Sequence, residues 1–295
     1  MLRMAEHGTR QPFMLPPDLL LEIDHRCNYR CPWCYCVWHE RPEGEMRNLP
    51  LESWKKIVAL SIAKGARAFM FSGGEATLRK GWQGLLSFAR EHLPEGEISL
   101  FTNGSRLTEE DLLLCRKKRV WITVSLQGLR TYAAMTGTRR SYERILELLM
   151  RAAELRHPCG VSVTVTRQNL FEVEDIYSAA ALCGASTVQI NAMMFAGRAE
   201  NRADLAVPPE EWRALKERME KIIRDGVPVA WGEEISCVCE HPPEERAEWL
   251  LAAPSPCPAG KRFGVFGPDG YFRNCLHTKE KLFYWKDLLG KEVRQ

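Results

Sequence analysis

The chain has 295 residues, of which 45% are hydrophobic and 27% charged, the composition of a folded protein rather than a disordered or fibrous one. Its 41 basic and 38 acidic side chains leave a formal charge of +3, which argues against a strongly basic nucleic-acid-binding domain and against RNA as a substrate. No apolar run approaches the ~20 residues of a membrane span, and Met1 to Asp18 lacks the apolar core of a secretory signal, so the expected location is cytoplasmic.

Short apolar segments with strand character alternate with helical patterns from Leu19 to about Met194. The predicted strands are Leu19–Asp24, Ala68–Ser72, Glu97–Thr102, Val120–Leu126, Val161–Thr166 and Thr187–Ala192. Helix signals lie between them: Thr108 with Asp111 three residues on, Ser141 as the cap of a helix over Ser141–Leu155, and Gly184 closing the helix before the last strand. The basic run Arg116–Lys117–Lys118–Arg119 ends one helix, where cations complement the helix dipole and face water. Such alternation defines an α/β fold, a parallel sheet with right-handed crossovers and helices outside. Six units curl it into a partial (β/α)6 barrel, short of the closed eightfold form.

Pro208–Pro209 then open an amphipathic helix, Glu210–Asp225, with Trp212, Leu215, Met219, Ile222 and Ile223 as a packing stripe. From Trp231 the chain is rich in Pro, Gly and Cys, and Phe263–Cys275 reads as a hairpin turning at Pro268–Asp269–Gly270. The expected organisation is an N-terminal extension over 1–18, the barrel over 19–200, a linker helix over 201–231 and a small Cys-rich domain over 232–295.

Eleven cysteines, an odd number in a reducing compartment, favour metal or catalytic use over disulfides. Cys27, Cys31, Cys34 and Cys36 group near the start, and Cys237, Cys239, Cys257 and Cys275 near the end. Cys115, Cys159 and Cys183 stand apart and are expected to be inert packing residues; Cys36, or whichever of Cys237 and Cys239 is not a ligand, is better placed to donate a hydrogen atom. In a parallel β/α barrel the loops at the C-terminal strand ends carry the chemistry, which places the loop after Asp24 at the mouth. Three thiolates at C-x3-C-x2-C can hold three irons of a cubane cluster and leave a fourth open; the alternative is zinc closed by Cys36 or His39.

At these residues the sequence resembles the radical SAM superfamily. Cys27, Cys31 and Cys34, with the aromatic Trp33 before the third cysteine, match its motif, and the similarity extends over most of the chain. The resemblance implies that these cysteines bind a 4Fe–4S cluster whose fourth iron is chelated by S-adenosylmethionine (SAM). Gly73–Gly74–Glu75 resembles the motif whose carboxylate and backbone meet the methionine ammonium, with glycine required by close backbone approach to the ligand. Asn103 follows the third strand, and Ser125 and Gln127 the fourth, at family landmarks for SAM binding. Relatives often carry Asp where Gln127 stands; an amide can bond ribose hydroxyls but cannot act as a base. Arg139, or its neighbour Arg140, lies where relatives place a cation for the SAM carboxylate, and Thr166, Asn169 and Met194 fall on the adenosine side.

Cys257, Gly270 and Cys275, at C-x12-G-x4-C, resemble the opening of the SPASM and twitch domains, which bind auxiliary Fe–S clusters. No cysteine follows Cys275, so one auxiliary cluster on Cys237, Cys239, Cys257 and Cys275 is expected, or else a zinc knuckle using His241 or His277. The implied activity is reductive cleavage of SAM to a 5′-deoxyadenosyl radical that abstracts hydrogen from a substrate C–H bond. The expected substrate is a ribosomally made peptide or a protein, epimerised or crosslinked. A small molecule or cofactor precursor is the alternative, and a non-catalytic electron-transfer or zinc protein a more distant one. Expected partners are a reductant such as flavodoxin or ferredoxin and, because only about 18 residues precede the first strand, a separate leader-peptide-binding protein unless the barrel itself holds the leader.

Overall fold

A computed structural model describes residues 14–40, 48–223, 226–231 and 259–289. Strand β1 (Asp18–Asp24) is followed by α1 (Leu51–Ala63), β2 (Ala68–Gly73), α2 (Trp82–His92), β3 (Glu97–Thr102), α3 (Glu109–Lys117) and β4 (Trp121–Ser125). A five-residue helix α4 (Tyr132–Thr136) precedes α5 (Glu143–Glu154), β5 (Cys159–Val165), α6 (Val173–Leu182), β6 (Thr187–Ala192) and α7 (Pro209–Ile223). Two of the three local signals act as the sequence implies; at α5 the cap position falls on Tyr142 rather than Ser141, whose hydroxyl accepts from Glu143 N–H at 3.2 Å. Thr108 and Asp111 form a reciprocal capping box at α3, and Gly184 takes φ +89° behind α6, a left-handed conformation that glycine adopts without Cβ strain.

β1 to β6 lie side by side and parallel. Alternate residues, Leu19, Leu21 and Ile23, Phe69 and Phe71, Ile98 and Leu100, Val161 and Val163, are buried in the core with Trp54 and Ile57 of α1, Leu85 of α2 and Ile176 of α6. Cys115 and Cys159 are part of this layer, and burial pushes both thiols up to about 12. Residues of the opposite parity, among them Glu22, Ser72, Thr123, Ser125, Ser162 and Thr164, give the other face of the sheet a polar character. On α7, Trp212, Leu215 and Met219 are buried, while Ile222 is exposed.

Both ends of the sheet differ from the sequence expectation. Beyond the six units, β7 (Val229–Trp231) pairs in parallel with Val188–Ile190 of β6, so the segment expected as a linker helix also contributes a strand; three residues are too few to show a period. At the other edge, β8 (Phe263–Phe266) runs parallel to β1, with Asp18 opposite Phe263 and Leu21 opposite Phe266. β9 (Tyr271–Arg273) and β10 (Phe283–Tyr284) add antiparallel strands, so that among the described residues the sheet has ten strands and is open between β10 and β7. The predicted hairpin is present, but it extends the barrel sheet: it occupies the edge of β1, whose N–H and C=O groups would otherwise be unpaired.

At the N-terminal ends of the strands lies a cavity of about 1060 Å³, lined by Met70, Phe101, Trp121, Thr123 and Gln189 and rimmed by Arg67 and Arg262. No helix among the described residues is long and apolar enough to cross a membrane.

Candidate active site

Cys27, Cys31 and Cys34 lie in the loop leaving the C-terminal end of β1, each half-buried. Helix α4 grips this loop from one side. Arg30 N–H donates to the Thr136 carbonyl at 2.9 Å, the Trp33 indole N–H to the Met135 carbonyl at 2.8 Å, and the Tyr29 and Tyr132 hydroxyls lie 3.1 Å apart. Trp33 is buried among Met135, Met193, Phe195 and Leu205, which explains the aromatic before the third cysteine as an anchor. Where the loop begins, Asp24 accepts from the Arg26 guanidinium at 2.7 and 3.0 Å and from the Asn48 amide at 2.8 Å. Burial raises its carboxyl, but these bonds outweigh it and hold the group below the ordinary range.

Burial pushes the Cys27 thiol up to about 12 and also raises Cys31, with Cys34 adding to the cost of ionising each. Such sulfurs become thiolates when iron takes the place of their protons, and three soft donors on one loop suit an Fe–S cluster. Among the described residues no three His, Cys, Asp or Glu side chains are grouped closely enough to hold a single ion. Cys36 is buried and hydrogen-bonds the Cys34 side chain.

The turn after β2 is tied to the same loop: Gly74 N–H donates to the Asp24 carbonyl and Glu75 N–H to the Arg26 carbonyl, both at 2.7 Å. Gly73 has φ +138°, and a Cβ there would collide with the Asp24 carbonyl; one on Gly74 would collide with the Arg26 carbonyl. The close approach that demands glycine is therefore to the protein's own backbone. The Glu75 carboxylate is buried and accepts from Thr77 N–H (3.0 Å), the Thr77 hydroxyl (2.6 Å), the Thr102 hydroxyl (2.6 Å) and Asn103 N–H (2.7 Å). Three of these bonds fall on Oε1 and one on Oε2, so the side chain expected to meet the methionine ammonium also joins the ends of β2 and β3. The Asn103 amide donates to Asn28 at 2.9 Å, and Asn28 to Ser105 at 2.8 Å, carrying the tie back to the cysteine loop.

Gln127 is likewise occupied, donating to the Ser162 carbonyl at 3.2 Å and accepting from Thr164 N–H at 2.7 Å. Ser125 ends β4, half-buried. Thr166 is fully buried, its N–H on the Asn169 side-chain oxygen at 2.8 Å, while the Asn169 amide donates to the Gln127 carbonyl at 2.8 Å. Arg139 and Arg140 are both exposed; Arg140 is the one whose charge acts on the Tyr29 and Tyr132 hydroxyls. Cys237, Cys239, Cys257 and His241 lie outside the described residues. Cys275 is half-buried with its sulfur 3.6 Å from His277 Nδ1, and the His277 ring packs edge-on against Tyr35 at 5.2 Å, beside the cysteine loop.

Three further residues belong to the site. Glu172, fully buried, accepts from the backbone N–H groups of Leu129, Arg130 and Thr131 at 3.0–3.2 Å and so anchors the turn into α4; a Glu in a polar loop gives no sequence signal. Glu22 on β1 accepts from the Trp38 indole at 2.7 Å, and burial pushes its carboxyl up to about 7. Arg198 follows β6 and donates its N–H to the Cys34 carbonyl at 2.9 Å; the Gly197–Arg198 pair just after a strand is the only trace of it in the sequence.

Residues 21–180 match the Radical SAM superfamily, and the chain belongs to that family. Membership implies a 4Fe–4S cluster and SAM. The chain is similar to the PqqA peptide cyclase of Bradyrhizobium diazoefficiens, 30% identical over 213 residues that cover 68% of this chain and 53% of the relative. It is also similar to the sporulation killing factor maturation protein SkfB of Bacillus subtilis, 24% identical over 88% of this chain and 60% of the relative. The fold matches Streptococcus suis SuiB bound to its precursor peptide SuiA with a TM-score of 0.71 at 16% identity, covering 95% of this chain and 62% of that one. SuiB bound to S-adenosylmethionine matches with a TM-score of 0.69. The chain thus spans between half and two thirds of the length of these relatives.

Proposed function

We propose that this chain is a radical SAM enzyme that modifies a ribosomally made peptide, with Cys27, Cys31 and Cys34 holding the 4Fe–4S cluster. The observation that carries the reading is the placement of these three cysteines on one loop at the C-terminal mouth of the partial barrel, held by α4 on one side and by the Gly197–Ala199 turn on the other. When bound, the cluster and SAM supply a 5′-deoxyadenosyl radical able to remove a hydrogen atom from an unactivated C–H bond. The chain's own residues hold that chemistry in place. Trp33, wedged among Met135, Met193 and Phe195, keeps the third cysteine at fixed height and shields its side of the site from water. Gly73, Gly74 and Glu75 lock the loop entry to β2 and β3, and Gln127, Thr166 and Asn169 fix the ends of β4 and β5 as a wall for the adenosine side. Arg140 offers a cation for a carboxylate.

Similarity to a PqqA peptide cyclase, to the maturation protein SkfB and to SuiB with its precursor peptide supports a peptide as the substrate class. The finer reading adds an auxiliary Fe–S cluster on Cys237, Cys239, Cys257 and Cys275 within a twitch-like region over 232–295, a flavodoxin or ferredoxin as reductant, a separate leader-peptide-binding protein and a cytoplasmic setting. Anaerobically reconstituted, dithionite-reduced protein should release 5′-deoxyadenosine from SAM, and the triple Cys27, Cys31, Cys34→Ala variant should release none. A peptide co-expressed with the enzyme should change mass or retention. Zinc without iron in anaerobically prepared protein would overturn the reading.

A further inference from the structure

The turn Gly197–Ala199 is pressed against the cysteine loop. Arg198 N–H donates to the Cys34 carbonyl at 2.9 Å, and its guanidinium Nη1 lies 3.5 Å from the Cys31 carbonyl. Gly197 adopts φ +56°, where a Cβ would come within 2.6 Å of the Tyr35 carbonyl and 2.8 Å of the Cys34 oxygen. Ala199 is fully buried in the apolar cluster around Trp33. The backbone on both sides of Arg198 is therefore fixed, and the half-buried side chain is directed at the loop.

Acids near Arg198 in sequence pair with other cations: Glu200 with Lys279 at 3.2 Å and Asp204 with Arg202 at 2.8 Å. The hydrogen-bond partners of Arg198 among the described residues are carbonyl oxygens of the cysteine loop. A partly desolvated cation is stable where negative charge stands opposite it. The carbonyls it faces belong to Cys31 and Cys34, and as iron ligands these cysteines are anionic.

We propose that Arg198 is a positioning residue that sets the reduction potential of the cluster, holding a fixed positive charge against the thiolate loop and so favouring the reduced, more negative state. The inference rests on the reading of Cys27, Cys31 and Cys34 as the cluster ligands. The step it biases is a one-electron reduction: an external low-potential reductant, titanium(III) citrate in the assay, loses one electron and the cluster gains it, with no bond broken and no proton moved.

The test is an EPR-monitored redox titration of the anaerobically reconstituted full chain as wild type, Arg198→Gln and Arg198→Lys, with iron content and SAM affinity measured in parallel. Arg198→Gln should retain iron, because the backbone N–H to Cys34 remains, and should make reduction about tenfold less favourable, a shift of about 59 mV to lower potential. Arg198→Lys, which keeps the charge, should recover most of that shift. An unchanged midpoint in Arg198→Gln would overturn the proposal, as would equal shifts in both variants, since charge would then not be the cause. Weaker SAM binding at an unchanged midpoint would make the residue a SAM ligand instead. Loss of iron in Arg198→Gln with a wild-type midpoint in Arg198→Lys would also overturn it, the charge then serving cluster retention. Wild-type protein that binds no iron would instead refute the assignment of the cysteines, a separate failure.

Discussion

At the C-terminal ends of the strands Glu75, Asn103, Gln127, Asn169 and Glu172 are all buried and bonded to neighbouring loops. At the N-terminal ends of the same strands Met70, Phe101 and Trp121 line an open cavity of about 1060 Å³ that Cys27, Cys31 and Cys34 do not line. A void thus stands at the end opposite the cysteine loop. Free volume marks where side chains fail to meet, whereas a radical site needs loops that cannot shift, and that rigidity comes from hydrogen-bonded buried polar groups.

The largest break in this contrast should come from Gly73→Ala. The new Cβ would meet the Asp24 backbone at a left-handed φ, costing about 3 kcal/mol or more and lowering the melting temperature by roughly 6–12 °C, with cluster loading reduced. Calorimetry and iron analysis check both. The second concerns Glu22, whose buried carboxyl has a folded pKa raised to about 7. Its contribution to stability is complete below the ordinary carboxylate pKa and is lost as pH rises toward 7, because only the unfolded chain ionises readily. Glu22→Gln should therefore gain up to about 3 kcal/mol relative to wild type between about pH 4.5 and pH 8. Urea unfolding across that range would show no pH-dependent difference if the carboxyl were not buried. Met70→Ala, facing the open end, should cost only about 1 kcal/mol, below the 2–5 expected of an enclosed methionine, as measured by chemical denaturation. Smallest of all, Cys183→Ala, half-buried behind α6, should change stability by less than about 0.5 kcal/mol and leave 5′-deoxyadenosine release unchanged.

The strands from β1 to β6 were legible because each is an apolar run bounded by turn residues, and their ends agree with the structure to within two residues. The cysteine loop was legible from spacing alone. What escaped depends on pairing across the chain: β7 is three residues long, and β8 gains its identity only by lying against β1. The GGE turn was found, but not its physical reason, since the collision partner of Gly73 is Asp24, far away in sequence. Glu172 carries no local pattern and Arg198 only the glycine before it; each acts through backbone groups of a loop the sequence does not place beside it.

The pairing of β8 with β1 also bears on how the protein is made. Asp18 meets Phe263 across roughly 245 residues, so during synthesis at about 5–20 residues per second the first strand waits on the order of tens of seconds for its neighbour. Arg273, whose guanidinium lies 4.4 Å from the Trp38 ring and pairs with Asp269 at 2.8 Å, arrives with that late neighbour. A ribosome-bound chain therefore displays its first cysteines on a barrel lacking one flank. Cells that supply iron and sulfide after release would meet the finished cradle, and a chain truncated before Phe263 should present the same cysteines on a loop that lacks this support.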